Sequence, residues 1–371
     1  MRRFAVIMAG GSGERFWPAS RRARPKQLLR LTDPARSMLE EAIDRIEPLI
    51  PRENVLIATS ELLQGPIREG IPSLPPENVI GEPAKRNTAA CLALAAAHLE
   101  QRFGNPRELS MAVLTADHQI GAPDEFRSTV AAALEFATEH DALVTIGVHP
   151  TRPDTGYGYI EVEEAVSDEE LRPGARPAIR PVLHFREKPD LATARTWAAS
   201  GRHLWNAGMF FWNVGTFLDG LEAAMPDLRR ATANMVESLG RGEPGREGLA
   251  SVFGALEDIS IDYGLMERAT NVHVIPATFP WDDVGSWDSL TRTREPDANG
   301  NVTTGDPVIH DSRGCVIYDE TGDDTAVAVV GLTDVIVATT PDGILVCAKD
   351  RAQDVKKAVA ELRRRGREDV T

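Results

Sequence analysis

Cysteine is scarce. Cys91, Cys315 and Cys347 are the only three in 371 residues, far apart and forming no CxxC pair. Neither a disulfide framework nor a cysteine-based zinc site is expected from them, and a reducing cytoplasm is the expected compartment. Long apolar runs are missing as well. No stretch approaches the roughly 18 apolar residues of a membrane span. The run Phe4–Ala9 behind Arg2-Arg3 is six residues long, with glycines where a signal peptide would be cleaved; such peptides need an apolar run of about 7–15. No membrane partner is expected. Positive charge is in deficit: the formal net charge is −15. That balance argues against nucleic acid as a partner, because such binding rests largely on Lys and Arg neutralising phosphates. The deficit is uneven, however. Residues 1–30 carry eight basic groups against one acid, Glu14, for a local +7, and the rest of the chain sums to −22.

What is present is an ordinary globular composition, long enough for two domains. Phe4–Met8, Asn54–Ala58, Met111–Thr115 and Ala142–Val148 are continuous apolar runs, as strands buried on both faces should be. Candidate helices lie between them. Ser37 and Glu40 form a capping box, Asn87-Thr88 precede an Ala/Leu-rich run to Leu99, and Asp124 opens a third helix reaching about Glu139. This alternation predicts an α/β fold with a mostly parallel sheet. Further strands are expected at Tyr157–Val162, Val182–Glu187 and Met209–Val214, and helices at Leu191–Ser200, Val214–Met225 and Ser260–Ala269. Pro296, Asn299 and Gly300 mark a boundary. It divides a domain of residues 1–295 from a small β-rich extension, 301–371, whose last element is a basic amphipathic helix at about Ala352–Arg365.

The sharpest motif is Ala9-Gly10-Gly11-Ser12-Gly13-Glu14-Arg15, directly after the first strand. Backbone N–H groups of such a loop can converge on an anion. Phe16 stands where a dinucleotide fingerprint needs its third glycine, and no Gly-Lys-Ser/Thr follows, so neither a nicotinamide site nor a Walker A loop is expected. Arg15 and Lys26 are placed to reach a polyphosphate on the loop, which would account for the local +7.

Gly-Gly-Ser-Gly-x-Arg-x-Trp-Pro-x-Ser-Arg followed by Pro25-Lys26-Gln27 resembles the signature of the sugar-1-phosphate nucleotidylyltransferases, in particular their mannose-1-phosphate guanylyltransferase branch. Further blocks agree in order: Glu82-Pro83-x-x-Arg86-Asn87-Thr88-Ala89, Ala116-Asp117-His118, Thr155–Ile160, Phe185-x-Glu187-Lys188-Pro189, Trp205-Asn206-x-Gly208, Ser260–Tyr263 and Trp281–Trp287. The resemblance implies a Rossmann-like mixed sheet flanked by helices, and transfer of GMP from GTP to mannose 1-phosphate with release of pyrophosphate. On that basis Arg15 and Lys26 are the catalytic cations. Ala9, Gly10, Gly11, Ser12, Gly13, Glu82, Asn87 and Thr88 bind the nucleotide. Gly158, Glu187, Lys188 and Asn206 bind the sugar phosphate, and Asp117 and Asp283 hold Mg²⁺, which favours hard oxygen ligands.

Glu82 carries a chemical argument of its own: guanine presents N1–H and an exocyclic amine on one edge, and a carboxylate accepts from both. His118 is assigned a structural role, since a phosphate monoester oxygen is already a nucleophile at neutral pH. Glu14 stands where many relatives have Thr. Beyond residue 300 no two histidines lie close, so the metal-binding isomerase cupin of two-domain relatives is not expected. The partners are GTP and mannose 1-phosphate, with a homodimer left open. A related transferase for another hexose 1-phosphate or nucleotide, or a silent nucleotide-sugar sensor, remains the alternative.

Overall fold

A computed structural model describes residues 1–371 apart from Ser12, Glu187, Asp323 and Asp324. The chain divides into two compact units, neither continuous in sequence. The first comprises Met1–Ala9, Ile43–Thr115 and Ile120–Pro280; the second comprises Gly10–Ala42, Ala116–Gln119 and Trp281–Thr371.

The first unit is built on a mixed sheet. Its left half is parallel: β1 (Arg2–Met8) lies between β2 (Val55–Ser60) and β4 (Leu109–Thr115), and β3 (Val79–Glu82) extends β2. The strand His203–Asn213 joins β4 antiparallel and pairs on its other side with Leu143–Val148. Val272–Pro276 then lies parallel to Leu143–Val148. Phe4, Val6 and Ile7 are fully buried in β1 and Val55, Leu56 and Ile57 in β2, as unbroken apolar runs require. The helix Asn87–Phe103 is apolar nearly all round, with every residue from Ala89 to Ala97 buried in the main core. That core also takes Trp212, Phe217 and Phe253.

Several expected elements shift. Residues 260–269 form a π-helical turn at Asp262–Met266 rather than an α-helix. Of the expected strand at Val182–Glu187 only His184–Arg186 is extended in a ladder, and a separate short strand, Arg180–Pro181, precedes it. Helices at Pro226–Gly240 and Arg246–Gly254 add to the expected set.

In the second unit the small β-rich part is a parallel coil. Val302–Thr304, Val316–Asp319 and Val335–Thr340 stack in parallel register, and Val308–His310 pairs in parallel with Ala328–Val330. Ile317 and Val337 from the first ladder, with Cys315 just ahead of it, enclose a core with Val329 from the second. The final helix runs Val355–Arg364. A larger core joins this part to the segments around the glycine loop: Phe16, Trp17, Leu29, Val284 and Trp287 are buried in one cluster with Val316, Tyr318, Ile336, Val355 and Val359. The indole of Trp17 donates to the Val370 carbonyl at 2.7 Å, and that of Trp287 donates to the Trp17 carbonyl at 3.0 Å. All three cysteines are free thiols, and no described helix is long and apolar enough to cross a membrane.

Candidate active site

The second unit contains a polar cavity of about 280 Å³ lined by Gly13, Glu14, Arg15, Lys26, Asp117, His118, Asp283, Gly285 and Lys356. Four residues singled out in the sequence as cations or metal ligands, Arg15, Lys26, Asp117 and Asp283, therefore come together in one place. Gly13 initiates the short helical turn Glu14–Phe16 at φ +62°. It must be glycine for a second reason: a Cβ there would stand 2.4 Å from Lys26 Cβ and 2.8 Å from its backbone nitrogen. The close approach seats Lys26, which is only 5% exposed.

Burial of an ammonium requires partners. Lys26 Nζ donates to Asp117 Oδ2 at 3.0 Å and to the Asp283 carbonyl at 2.7 Å. Burial pushes the Asp117 carboxyl upward, but Lys26 and His118 more than offset it and hold the group below the usual carboxylate range. Asp283 sits beside Val284, a buried β-branched residue at φ +46°, a conformation that stores strain. Gly285 accommodates the Asp283 side chain, because a Cβ there would lie 2.9 Å from Asp283 Oδ2. Arg15 Nη1 donates to the Gly285 carbonyl at 2.9 Å. The neighbouring Asp282 is held by Arg292 at 2.7 Å. The indole of Trp281 donates to His118 Nδ1 at 3.1 Å and meets its ring edge-on, so the imidazole is fixed as part of the wall.

The local +7 has a different explanation from the expected one. Of that segment's basic groups, only Arg15 and Lys26 line the cavity. Arg21 pairs with Asp342 at 2.7 Å, Arg24 with Glu320 at 2.6 Å and Arg3 with Glu135 at 3.3 Å. Much of the basic excess is thus neutralised by acids far along the chain.

Of the other sequence candidates, Gly10 and Gly11 belong to the second unit, and Ala9, Glu82, Asn87, Thr88, Gly158, Lys188 and Asn206 to the first. Ala9 donates its N–H to the Ala58 carbonyl at 2.7 Å. Ser12 and Glu187 lie outside the described residues. Glu82 ends β3, half-buried against the Cys91 thiol, and burial pushes its carboxyl up to about 7. Asn87 opens its helix at φ +62°, its own side chain accepting from Thr88 N at 2.9 Å instead of capping the turn beyond. Thr88 Oγ1 accepts from Ile261 N at 2.8 Å. Gly158 and Asn206 are brought together, Asn206 N donating to the Gly158 carbonyl at 2.9 Å.

Asn206 stands at a bulge in its strand that needs Gly208 at φ +65°. Its Oδ1 accepts from Gly208 N and its Nδ2 donates to Asp262 Oδ1 at 2.6 Å. Asp262 was legible only as part of a motif block, with no role attached; it is half-buried, desolvation raises its carboxyl pKa, and it orients Asn206. Ile261 and Asp262 thereby link Thr88 to Asn206. Lys188 is exposed at φ +42°. Sequence reasoning missed Lys356. It lies in the amphipathic helix, and no spacing connects it to the glycine loop.

The chain is similar to known proteins along nearly its whole length. Residues 4–300 match the Nucleotidyl transferase family, and residues 305–362 match the MannoseP isomerase/GMP-like beta-helix domain. A mannose-1-phosphate guanylyltransferase of Escherichia coli is 37% identical over 365 residues, covering 98% of this chain and 74% of that protein. The same enzyme of Klebsiella pneumoniae is 37% identical over 367 residues, with the same coverage. A crystal structure described as mannose-1-phosphate geranyltransferase from Thermus thermophilus superposes with a TM-score of 0.83 at 34% identity, over 98% of this chain and 100% of that one.

Proposed function

The chain belongs to the nucleotidyl transferase family, and on that premise we propose that it transfers GMP from GTP to α-D-mannose 1-phosphate, giving GDP-mannose and pyrophosphate. The observation that carries the reading is the cavity in which Gly13, Arg15, Lys26, Asp117 and Asp283 meet. The choice of sugar and base rests on the relatives' names and on Glu82.

A phosphate oxygen of the sugar phosphate attacks the α-phosphorus of GTP. The new P–O bond forms as the bond to the β-phosphate breaks, and pyrophosphate leaves with that electron pair. Such transfers need positioning and positive charge more than covalent help. Arg15 and Lys26 supply that charge, fixed before the substrate arrives so that little reorganisation is needed in the transition state. No side-chain base is required, which suits the structural setting of His118. Asp117 and Asp283 offer hard oxygen donors to one cavity, the donor set that suits Mg²⁺. Bound there, the metal would neutralise phosphate charge. Glu82 is assigned to the guanine edge, and Lys188 with Asn206 and Gly158 to the sugar phosphate.

The test is pyrophosphate release with Mg²⁺ across a matrix of nucleoside triphosphates and sugar 1-phosphates. GTP with mannose 1-phosphate should dominate. A different dominant pair would replace the substrate assignment, and silence across the matrix would favour a sensor.

A further inference from the structure

The helix Val355–Arg364 buries Val355 and Val359, one turn apart, in the core that also takes Phe16, Trp17, Val284 and Trp287. Two of its basic side chains reach the glycine loop. Arg363 Nη1 stands 2.5 Å from Glu14 Oε1, and Lys356 lines the cavity beside Gly13 and Arg15. Just ahead of the helix, Gln353 Nε2 donates to Ser286 Oγ at 2.9 Å, which ties the same segment to the loop that follows Asp283.

The charges of the cavity are unevenly committed. Among the described residues Lys26 is paired with Asp117 and Glu14 with Arg363, whereas Arg15 and Lys356 have no carboxylate partner. The next residue, Lys357, pairs instead with Asp354 at 2.6 Å. Two uncommitted cations in one cavity repel each other until a polyanion enters, and they then favour it.

We infer that Lys356 is a phosphate ligand of this site, so that the C-terminal helix is a working part of the transferase. The inference rests on the proposed nucleotidyl transfer. Lys356 stands with the glycine loop, which serves the triphosphate, and the pyrophosphate that leaves carries most of the triphosphate's charge. Lys356 therefore acts on GTP and on the pyrophosphate released as the P–O bond to the β-phosphate breaks. The acid at position 14 also becomes intelligible: Arg363 offsets its charge beside an anion site.

The experiment uses the full chain and inorganic pyrophosphate as probe, by titration calorimetry and by KM in the reverse reaction. Lys356→Ala should weaken pyrophosphate binding about tenfold, in keeping with the loss of a charge-assisted contact. It should raise KM for GTP and pyrophosphate while leaving that for mannose 1-phosphate unchanged. Lys356→Arg should recover most of the loss, and Lys357→Ala should match the parent. Pyrophosphate binding by Lys356→Ala within twofold of the parent would overturn the inference, as would equal damage from Lys357→Ala. If the parent fails to make GDP-mannose yet loses pyrophosphate affinity on Lys356→Ala, the substrate reading falls and the phosphate ligand stands.

Discussion

Lys26 Nζ lies 3.0 Å from Asp117 Oδ2, joining residues 91 positions apart, and the same nitrogen reaches the Asp283 carbonyl 257 positions away. One buried ammonium thus fixes the spacing of both candidate metal ligands. Lys26→Ala should lower turnover by about 10²–10³-fold, the usual loss for one preorganised electrostatic contact. Without its cation, Asp117 loses the strongest of the influences that hold its carboxyl down against burial, His118 remaining, so the residual activity should fall away at a higher pH than in the parent. A pH profile of pyrophosphate release on folded protein checks both. Unchanged turnover would remove Lys26 from the mechanism.

The loop glycines are not equivalent. Gly13 is at φ +62° with Lys26 packed where a Cβ would go, whereas a Cβ at Gly11 would meet nothing within 4 Å. Gly13→Ala should destabilise the protein by about 1–2 kcal/mol from the left-handed backbone alone, and more from the collision. Gly11→Ala should unfold as the parent does. Thermal unfolding of the two variants without ligand distinguishes them.

Glu82, with its carboxyl near 7, is charged above that pH and neutral below it. Only the carboxylate can accept from both donors on the guanine edge. Preference for GTP over ATP, taken as a ratio of kcat/KM, should therefore rise between pH 6 and 8, by up to about tenfold for one lost charge-assisted bond. In Glu82→Gln the ratio should be lower and flat with pH. A ratio independent of both would remove Glu82 from base recognition.

His118 accepts from the Trp281 indole, and Asn can place an oxygen near the position of Nδ1. His118→Asn should keep turnover within about threefold of the parent, well short of the 10²–10⁴ expected of a general acid or base. A larger loss accompanied by a missing limb in the pH profile would make His118 a proton-transfer group.

Deletion of residues 301–371 tests whether the extension is separable. It would strip Val316, Tyr318, Ile336, Val355 and Val359 from the core that holds Phe16, Trp17 and Trp287. Each large buried side chain left facing a void costs about 3–5 kcal/mol, so the truncated chain should be insoluble or lack a cooperative unfolding transition. A soluble, active product would show that the glycine loop stands without its core.

Much of the chemistry was legible in the sequence because it is local. Unbroken apolar runs marked β1, β2 and β4, a glycine loop behind a strand marked one wall of the polar cavity, and Ser37 with Glu40 formed the expected capping box, Ser37 N donating to Glu40 Oε2 at 2.8 Å. The turn at Asp262–Met266 was misread as an α-helix because its hydrophobic spacing does not report the wider hydrogen-bond ring.

Charge was the least legible feature. The sequence by itself determined that a +7 segment surrounds one glycine loop in an acidic chain, along with which residue types could handle phosphate. Only the tertiary structure decided how those charges are spent. Arg21 and Arg24 are taken by Asp342 and Glu320, Glu14 by Arg363, and Lys356 arrives in the cavity from the last helix. Ion pairing depends on distance in space, and these partners are separated by about 300 positions or more in the chain, beyond any pattern that a local reading of residues can detect.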